Sequence, residues 1–502
     1  MKKTTLLYCS LFVGLLLGAG SCKKSFLNVS PEGSTLEDNY YQTPDEAFAG
    51  LVAAYNPLSW TVVSSYAPKM VLLTLASDEA YAGGGSSSDN PGFQAWNTYT
   101  LQAATPNVPP DLWSRNFTGI ARVNTMLTKI NGVPGLTTDL QARYTAEMQF
   151  LRAYYYFDLV REFGNVPLIT TVLSQSQWFT EVQAKPADVY AQIEKDLNAA
   201  IPNLPATVPS ATEGGRVTKG AAQALLGKVI IYENDNSRMQ EAASDLEQVN
   251  TSPNYQLLSN YASIFDPGNK FNAESIFEIV HTNQAGKTWG NWPNFDGNVG
   301  VQMVGPRGYT GPTFESSAAG YGFCPISLDL VNALQGDPRY AATIVNIDSL
   351  SKAGVCTYSP GYMNTGYFVR KYAPLAAYQG TVGNIELNWT NDEIEIRLAD
   401  TYLLESEALI RGGGDQGRAQ QLLDAVRARV GLPSVPVTLP NIYNERRLEL
   451  ATEGHRWFDL VRTGQAASVL ASKGFQANKN EVLPIPLVEL NNTKLVQNPG
   501  YN

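Results

Sequence analysis

DLQARYTAEMQFLRAYYYFDLVREF, residues 139–163, decides the fold class. Met148, Leu151, Tyr155 and Leu159 recur at steps of three and four, which predicts a helix. Phe150, Tyr154 and Phe157 form another apolar stripe, so the helix is apolar over most of its circumference and belongs in an interior. Gly164 and Pro167 end it.

The same period recurs on both sides. Helices are expected at 45–55 after Pro44, at 111–130 (Trp113, Phe117, Ile120, Leu127, Ile130), at 186–200, at 218–233 and at 237–249. Others are expected at 391–410, at 415–430 and at 440–463. The helix at 391 opens with Thr390-Asn391-Asp392-Glu393, a capping-box spacing. Gly220, Ala221, Ala222, Ala224 and Gly227 keep one helix thin, which permits close approach of a neighbour. Paired, these helices make hairpins of the tetratricopeptide kind, each burying its face against the next. The fold class is therefore mainly α, with about four such hairpins, a large loop-rich and aromatic-rich insertion, and a few short strands.

Two stretches have neither a helical nor a strand period. Residues 76–100 set Gly83-Gly84-Gly85-Ser86-Ser87-Ser88 beside Tyr81, Phe93, Trp96 and Tyr99. Residues 283–323 are glycine-rich and carry Trp289, Trp292, Phe295, Tyr309, Phe314, Tyr321 and Phe323. Their loops should lie on the scaffold surface. Strands are expected at 275–280 and 366–371. The organisation is then a signal peptide (1–21), a tether (22–45) and one large unit (46–502). That unit has a helical scaffold at 46–250 and 390–465, a loop-rich region at 250–390 and an extended tail at 466–502.

The N-terminus gives an address. Met1-Lys2-Lys3 is a charged start, Leu6–Gly20 is apolar but too short for an ordinary membrane span, and Gly18-Ala19-Gly20-Ser21 precedes Cys22. This resembles a bacterial lipobox, which makes Cys22 a lipidation site. Ala19-Gly20-Ser21 also suits ordinary signal peptidase, which would cut the same bond. Cys324 and Cys356 remain in an oxidising compartment, either as a disulfide or as two buried small hydrophobes.

The chain has 502 residues, 44% hydrophobic and 16% charged, with a formal net charge of −10. It can bury a large core, and it lacks the basic excess a nucleic-acid binder needs. Only His281 and His455 occur, which narrows histidine-dependent catalysis and metal binding. His455 reads as a satisfied interior histidine and His281 as structural. No P-loop, zinc spacing, Gly-x-Ser-x-Gly or calcium loop is found, so no cofactor and no metal is expected.

The chemistry that remains is aromatic. A sugar ring has an apolar C–H face and a hydroxyl rim; a flat Trp or Tyr covers the first, while Asn and Asp satisfy the second. Trp96-Asn97, Trp289-Gly290-Asn291-Trp292 and Phe295-Asp296 supply both, and Tyr81, Asp78 and Tyr309 complete the candidate ligand-binding set. The competing reading is that these rings pin long loops to the helices. Glu449 and Glu453, four apart with Arg456 next, could in principle work on a glycosidic bond. An ion-pair network with Arg446, Arg447 and Arg456 is the commoner use of such a set.

Several strings resemble the SusD/RagB family. They are FLRAYYYFDLV at 150–160 with FGNVPL at 163–168, GRVTKGAAQALL at 215–226, ERRLEL at 445–450 running on to EGHRWFDLVR at 453–462, and LPIP at 483–486 with QNPGY at 497–501. The resemblance implies tetratricopeptide-like hairpins and a lipoprotein on the outer face of an outer membrane. It implies a SusC-like TonB-dependent transporter as partner, and binding of oligosaccharides without cleavage. The expectation is a non-enzymatic, lipid-anchored glycan-binding protein. Two alternatives stand beside it: a lid for peptide or other non-sugar cargo of the same transporter class, and a glycoside hydrolase using Asp78, Glu79 or Asp296.

Overall fold

A computed structural model describes residues 40–312, 314 and 320–501. The expected signal peptide, Cys22 and the tether up to residue 39 lie outside the described residues.

The scaffold helices are α1 (Pro44–Tyr55), α2 (Val108–Lys129), α3 (Thr138–Phe163), α4 (Pro186–Ala200), α5 (Lys219–Glu233), α6 (Met239–Asn250), α7 (Leu398–Arg411), α8 (Gln416–Arg429), α9 (Leu439–Glu449) and α10 (Arg456–Arg462). Local chemistry starts and stops them. Thr43 and Glu46 close a capping box ahead of α1, Thr137 caps α3, and Gly164 at φ 69° ends α3. As its two stripes require, α3 is buried from Phe150 through Val160 without a break.

Helices pack as α1/α2, α3/α4, α5/α6 and α7/α8, and the pairs stack through α2 on α3, α4 on α5 and α6 on α7. The thin face of α5 is used where expected: a Cβ on Gly227 would come within 2.6 Å of Leu246 on α6. The pairs α5/α6 and α7/α8 are compact hairpins. The first two are not, because long segments separate α1 from α2 and α3 from α4.

The segments between α1 and α2 and between α6 and α7 fold against each other. Gly84 N–H donates to the Gly322 carbonyl (2.8 Å), Cys324 N–H to Ala82 (3.1 Å) and Ser327 N–H to Glu79 (2.8 Å). Short antiparallel strands brace them: β1 (Ser275–Ile279) pairs with β4 (Glu393–Arg397), and β2 (Ile344–Asn346) with β3 (Tyr367–Val369).

Three sequence expectations change, and one open alternative closes. Residues 393–397 are a strand and the helix begins at Leu398, with no side-chain cap. The string Glu-Ile-Glu-Ile-Arg alternates with period two, and its partner strand outweighs the capping-box spacing. The helix expected at 440–463 is two helices, broken where Thr452 (φ 65°) and Gly454 (φ 80°) turn left-handed. The two aromatic stretches do contain helices, Pro91–Asn97 and the wholly buried Val299–Val304, too short to show a period. Finally, Cys324 and Cys356 do not pair: both thiols are free and buried, and they point at the Val71 and Ile347 carbonyls respectively.

Candidate functional site

The structure divides the candidate residues. Trp289 and Trp292 flank a single 3-10 turn (Trp289–Asn291), and each is 39% exposed. Their rings lie 6.4 Å apart between centroids and only 23° from parallel. Phe295, itself buried, meets both rings edge-on, at 6.2 and 5.7 Å. Tyr66 meets Trp292 edge-on at 5.6 Å and lies 6.1 Å from Tyr321. The Trp289 indole N–H donates to Glu386 Oε1 (2.8 Å), and the Trp289 backbone N–H to Asn384 Oδ1 (3.3 Å). Asn291 Oδ1 accepts from the Thr288 backbone and hydroxyl and so closes the turn. The result is a pair of partly exposed, nearly parallel indoles held by their ring and hydrogen-bonding neighbours.

Charge sits at the rim. Asp296 pairs with Lys287 (3.0 Å), and Asp89 lies 3.8 Å from Arg307. Burial raises the Tyr66 and Tyr321 phenols above the usual tyrosine range, and the negative charge of Glu386 raises both further. They stay protonated and able to donate at any physiological pH.

The other candidates lie elsewhere. Trp96 is in the core, 1% exposed, edge-on to Trp457 at 5.6 Å, so its ring cannot meet a ligand. Its burial comes from the short helix Pro91–Asn97, which turns it inward. Asn97 is buried too and accepts from Lys473 Nζ (3.0 Å), the same ammonium that sits 5.7 Å over the Tyr81 ring. Tyr309 belongs to a separate buried cluster with Phe314, Cys356 and Phe368. Asp78 receives both Arg456 Nε (2.8 Å) and Nη2 (3.1 Å), with Arg447 at 3.0 Å. Burial works to raise its carboxyl, but these guanidiniums hold it below the usual range. Glu79 is fully buried and pushed up to about 8, by burial and then by Asp78.

Glu449 and Glu453 are indeed a network, with different partners from those expected. Glu449 meets Arg339 (2.9 Å), Arg397 (2.6 Å) and Arg429; Glu453 meets Arg397 and Lys371, both at 2.7 Å. The break after α9 turns the two carboxylates toward β4 rather than along one helical face. His455 lies 3.4 Å from Lys228 Nζ and is held down to about 4, by burial and then by Lys228. His281 is buried and held down to about 3 by burial and Lys270.

A larger cleft, of about 570 Å³, is lined by Tyr261, Phe265, Asp266, Arg370 and Tyr378 among others. Two of its three rings carry cations: Lys371 sits over both Tyr261 (5.2 Å) and Phe265 (4.7 Å), and Arg429 over Tyr261 (4.9 Å), while the Tyr378 hydroxyl donates to Asp266 Oδ1 (2.5 Å). A ring face taken by a cation is not available to a sugar, and Tyr261 is buried, so the more exposed indoles of Trp289 and Trp292 are the better aromatic site. Tyr66, Tyr321 and Glu386 complete it. Tyr321 belongs to the aromatic-rich stretch, but nothing in the sequence marks Tyr66 or Glu386, which reach the site from separate loops.

Comparison with known proteins agrees with the fold. A profile described as the SusD family matches residues 261–501, and one described as starch-binding, associating with outer membrane, matches residues 68–231. A laminarin binding SusD-like protein of known structure is 47% identical, with a TM-score of 0.87, over 92% of this chain and 100% of that one. Surface glycan-binding protein A from Bacteroides thetaiotaomicron, solved in complex with laminarihexaose, is 29% identical with a TM-score of 0.83, over 91% of this chain and 99% of its own. The starch-binding protein SusD of Bacteroides thetaiotaomicron is 24% identical over 73% of this chain and 74% of its own length.

Proposed function

Since the chain belongs to the SusD family, we propose that it is a cell-surface, outer-membrane lipoprotein, anchored through Cys22, that binds an oligosaccharide on the Trp289–Trp292 platform and hands it to a SusC-like TonB-dependent transporter. A laminarin-type glucan is the ligand of first choice, because the 47%-identical relative is named for laminarin. The observation that carries the reading is the pair of exposed, nearly parallel indoles fixed by neighbouring side chains. Ring faces held in place cost little ordering entropy when a sugar settles on them.

The protein binds without cleaving. A glycosidase needs two carboxyls flanking one bond, one free to donate and one to attack or activate water. Here Asp78 is clamped by two arginines, Glu79 is sealed in the core, and Asp296 is paired with Lys287.

The test is calorimetric binding of the mature chain to laminarihexaose and to a panel of other oligosaccharides, against Trp289→Ala and Trp292→Ala. Each change should weaken the retained glycan about 10- to 100-fold, the worth of covering an aromatic ring at about 1.5–3 kcal/mol. Retention of the glycan by both variants at wild-type strength would sink the platform. Binding of a peptide library with no glycan bound would favour non-sugar cargo instead. Product release from laminarihexaose on prolonged incubation would refute the non-enzymatic reading.

A further inference from the structure

We propose that Glu386 determines the ligand class of this platform. It positions the Trp289 ring and, as a carboxylate without a counter-cation, turns the surface toward neutral glycans and against acidic ones. The inference rests on the reading that the platform binds sugar.

Glu386 is placed, not free. It sits in a single 3-10 turn, Ile385–Leu387, just after Asn384. Asn388 Nδ2 donates to the Asn384 carbonyl (2.7 Å) and the Lys287 carbonyl (2.8 Å), and Asn384 N–H donates back to Lys287 (2.9 Å). The turn is thereby fastened to the strand of chain that leads into Trp289. From it, Glu386 Oε1 accepts the indole N–H at 2.8 Å. An exposed tryptophan on a glycine-rich loop has several rotamers open to it, and this bond, with edge contacts from Phe295, selects one.

The charge count at the rim is uneven. Glu386 touches Trp289, Asp296 follows Phe295 in the chain, and Asp89 acts on Tyr66; two cations answer two of these three carboxylates, Arg307 facing Asp89 and Lys287 facing Asp296. Among the described residues, no Lys or Arg lies within ion-pair distance of Glu386. Its charge also raises the Tyr66 and Tyr321 phenols, so it acts beyond Trp289. Neutral hydroxyls gain by donating to such a group. A uronate or sulfate brought over the same rings meets a like charge, and like-charge juxtaposition is how a binding surface rejects a wrong partner.

Glutamine at 386 separates the two roles, because its amide oxygen still accepts the indole N–H while the charge is gone. The probes are laminarihexaose and a carboxymethylated laminarin oligosaccharide of matched length, each titrated into the mature chain at low and high ionic strength. For Glu386→Gln, laminarihexaose should weaken about 2- to 3-fold, because a neutral acceptor replaces the charged one its hydroxyls donate to, while the indole bond is kept. Affinity for the carboxymethylated probe should rise about 5- to 10-fold at low salt, with most of that gain lost at high salt. For Glu386→Ala, laminarihexaose should weaken about 5- to 10-fold as Trp289 loses its orienting bond, an effect that Glu386→Gln partly reverses.

If wild type and Glu386→Gln discriminate equally between the two probes, the charge filter is overturned. If Glu386→Ala holds laminarihexaose as tightly as wild type, the positioning role is overturned. Both failures leave the platform standing. A wild type that holds no neutral glucan, or one that holds it regardless of Trp289 and Trp292, overturns the platform and this inference together.

Discussion

The surroundings of Glu449 and those of Trp289 use opposite chemistry, although both join the inserted segments to something else. Around Glu449 the interior is ionic. Arg397 on β4 reaches Glu274 (2.8 Å), Glu449 (2.6 Å) and Glu453 (2.7 Å), all fully buried, and Arg339 reaches Glu445 (2.5 Å) and Glu449 (2.9 Å). Buried pairs gain little over apolar packing, but each is costly to break, so they admit only one way of docking the strands on α8 and α9. Around Trp289 the arrangement is reversed: rings face water and the charges stand at their rim. Residue type therefore does not indicate role. Glu453 neutralises a buried guanidinium and Glu386 orients an exposed indole; Trp96 fills the core and Trp289 lies open.

Removing the centre of the ionic region should have the largest effect. Arg397→Met leaves Glu274, Glu449 and Glu453 short of a partner, and denaturant unfolding should show a loss of about 5 kcal/mol, the upper end for breaking a buried pair. A loss under about 1 kcal/mol would mean that water or Arg429 replaces it, and that the network does not hold the strands. Trp96→Ala should come next, at about 4 kcal/mol for an emptied core site. Folded Trp96→Ala protein should keep the glycan affinity measured for the wild type. Lost binding in a folded variant would return Trp96 to the site.

The contrast also shows what could be read beforehand. The scaffold was legible because its signal is periodic: α3 with its two stripes, the thin face of α5 and the stop at Gly164 follow from local rules. The 393–397 strand was misread because a local capping spacing competes there with a partner, β1, more than a hundred residues away. The site was half legible. Trp289, Trp292 and Phe295 lie within one short stretch and come together. Trp96, in an equally glycine-rich neighbourhood, turns inward onto Trp457, far along the chain. Tyr66 and Glu386 are brought in by tertiary folding alone.

The ionic region contains an exception that sharpens the comparison through pH. Glu79 is a buried carboxyl with no basic partner in hydrogen-bonding reach; one oxygen accepts the Thr452 N–H (3.1 Å) and the other accepts nothing. Its folded value of about 8 lies above the ordinary 4.5. The folded state thus keeps a proton that the unfolded chain releases. That contribution is fully present below pH 4.5 and is lost as pH rises through 8. Wild-type stability should fall by about 3 kcal/mol between roughly pH 5.5 and 8 from this group alone. Glu79→Gln, which keeps an acceptor and carries no charge, should flatten that part of the Tm–pH curve. An unchanged slope would show that Glu79 is ionised in the fold and paired like its neighbours.

The smallest stability effect should come from the platform itself. Trp289 lies at the edge of the core: its ring meets Trp292, buried Phe295 and the Glu386 carboxylate, and over a third of it is already in water. Trp289→Ala leaves no closed cavity but gives up the covered part of the ring and its Glu386 bond, so unfolding free energy should fall by about 1–2 kcal/mol, well under the Trp96→Ala loss. The same substitution is expected to cost about 10-fold or more in glycan affinity. A ring that costs so much to bind with and so little to fold with is kept for its ligand. If instead Trp289→Ala destabilises as much as Trp96→Ala, the exposed indole is pinning its loop to the scaffold, and the two regions differ in exposure but not in purpose.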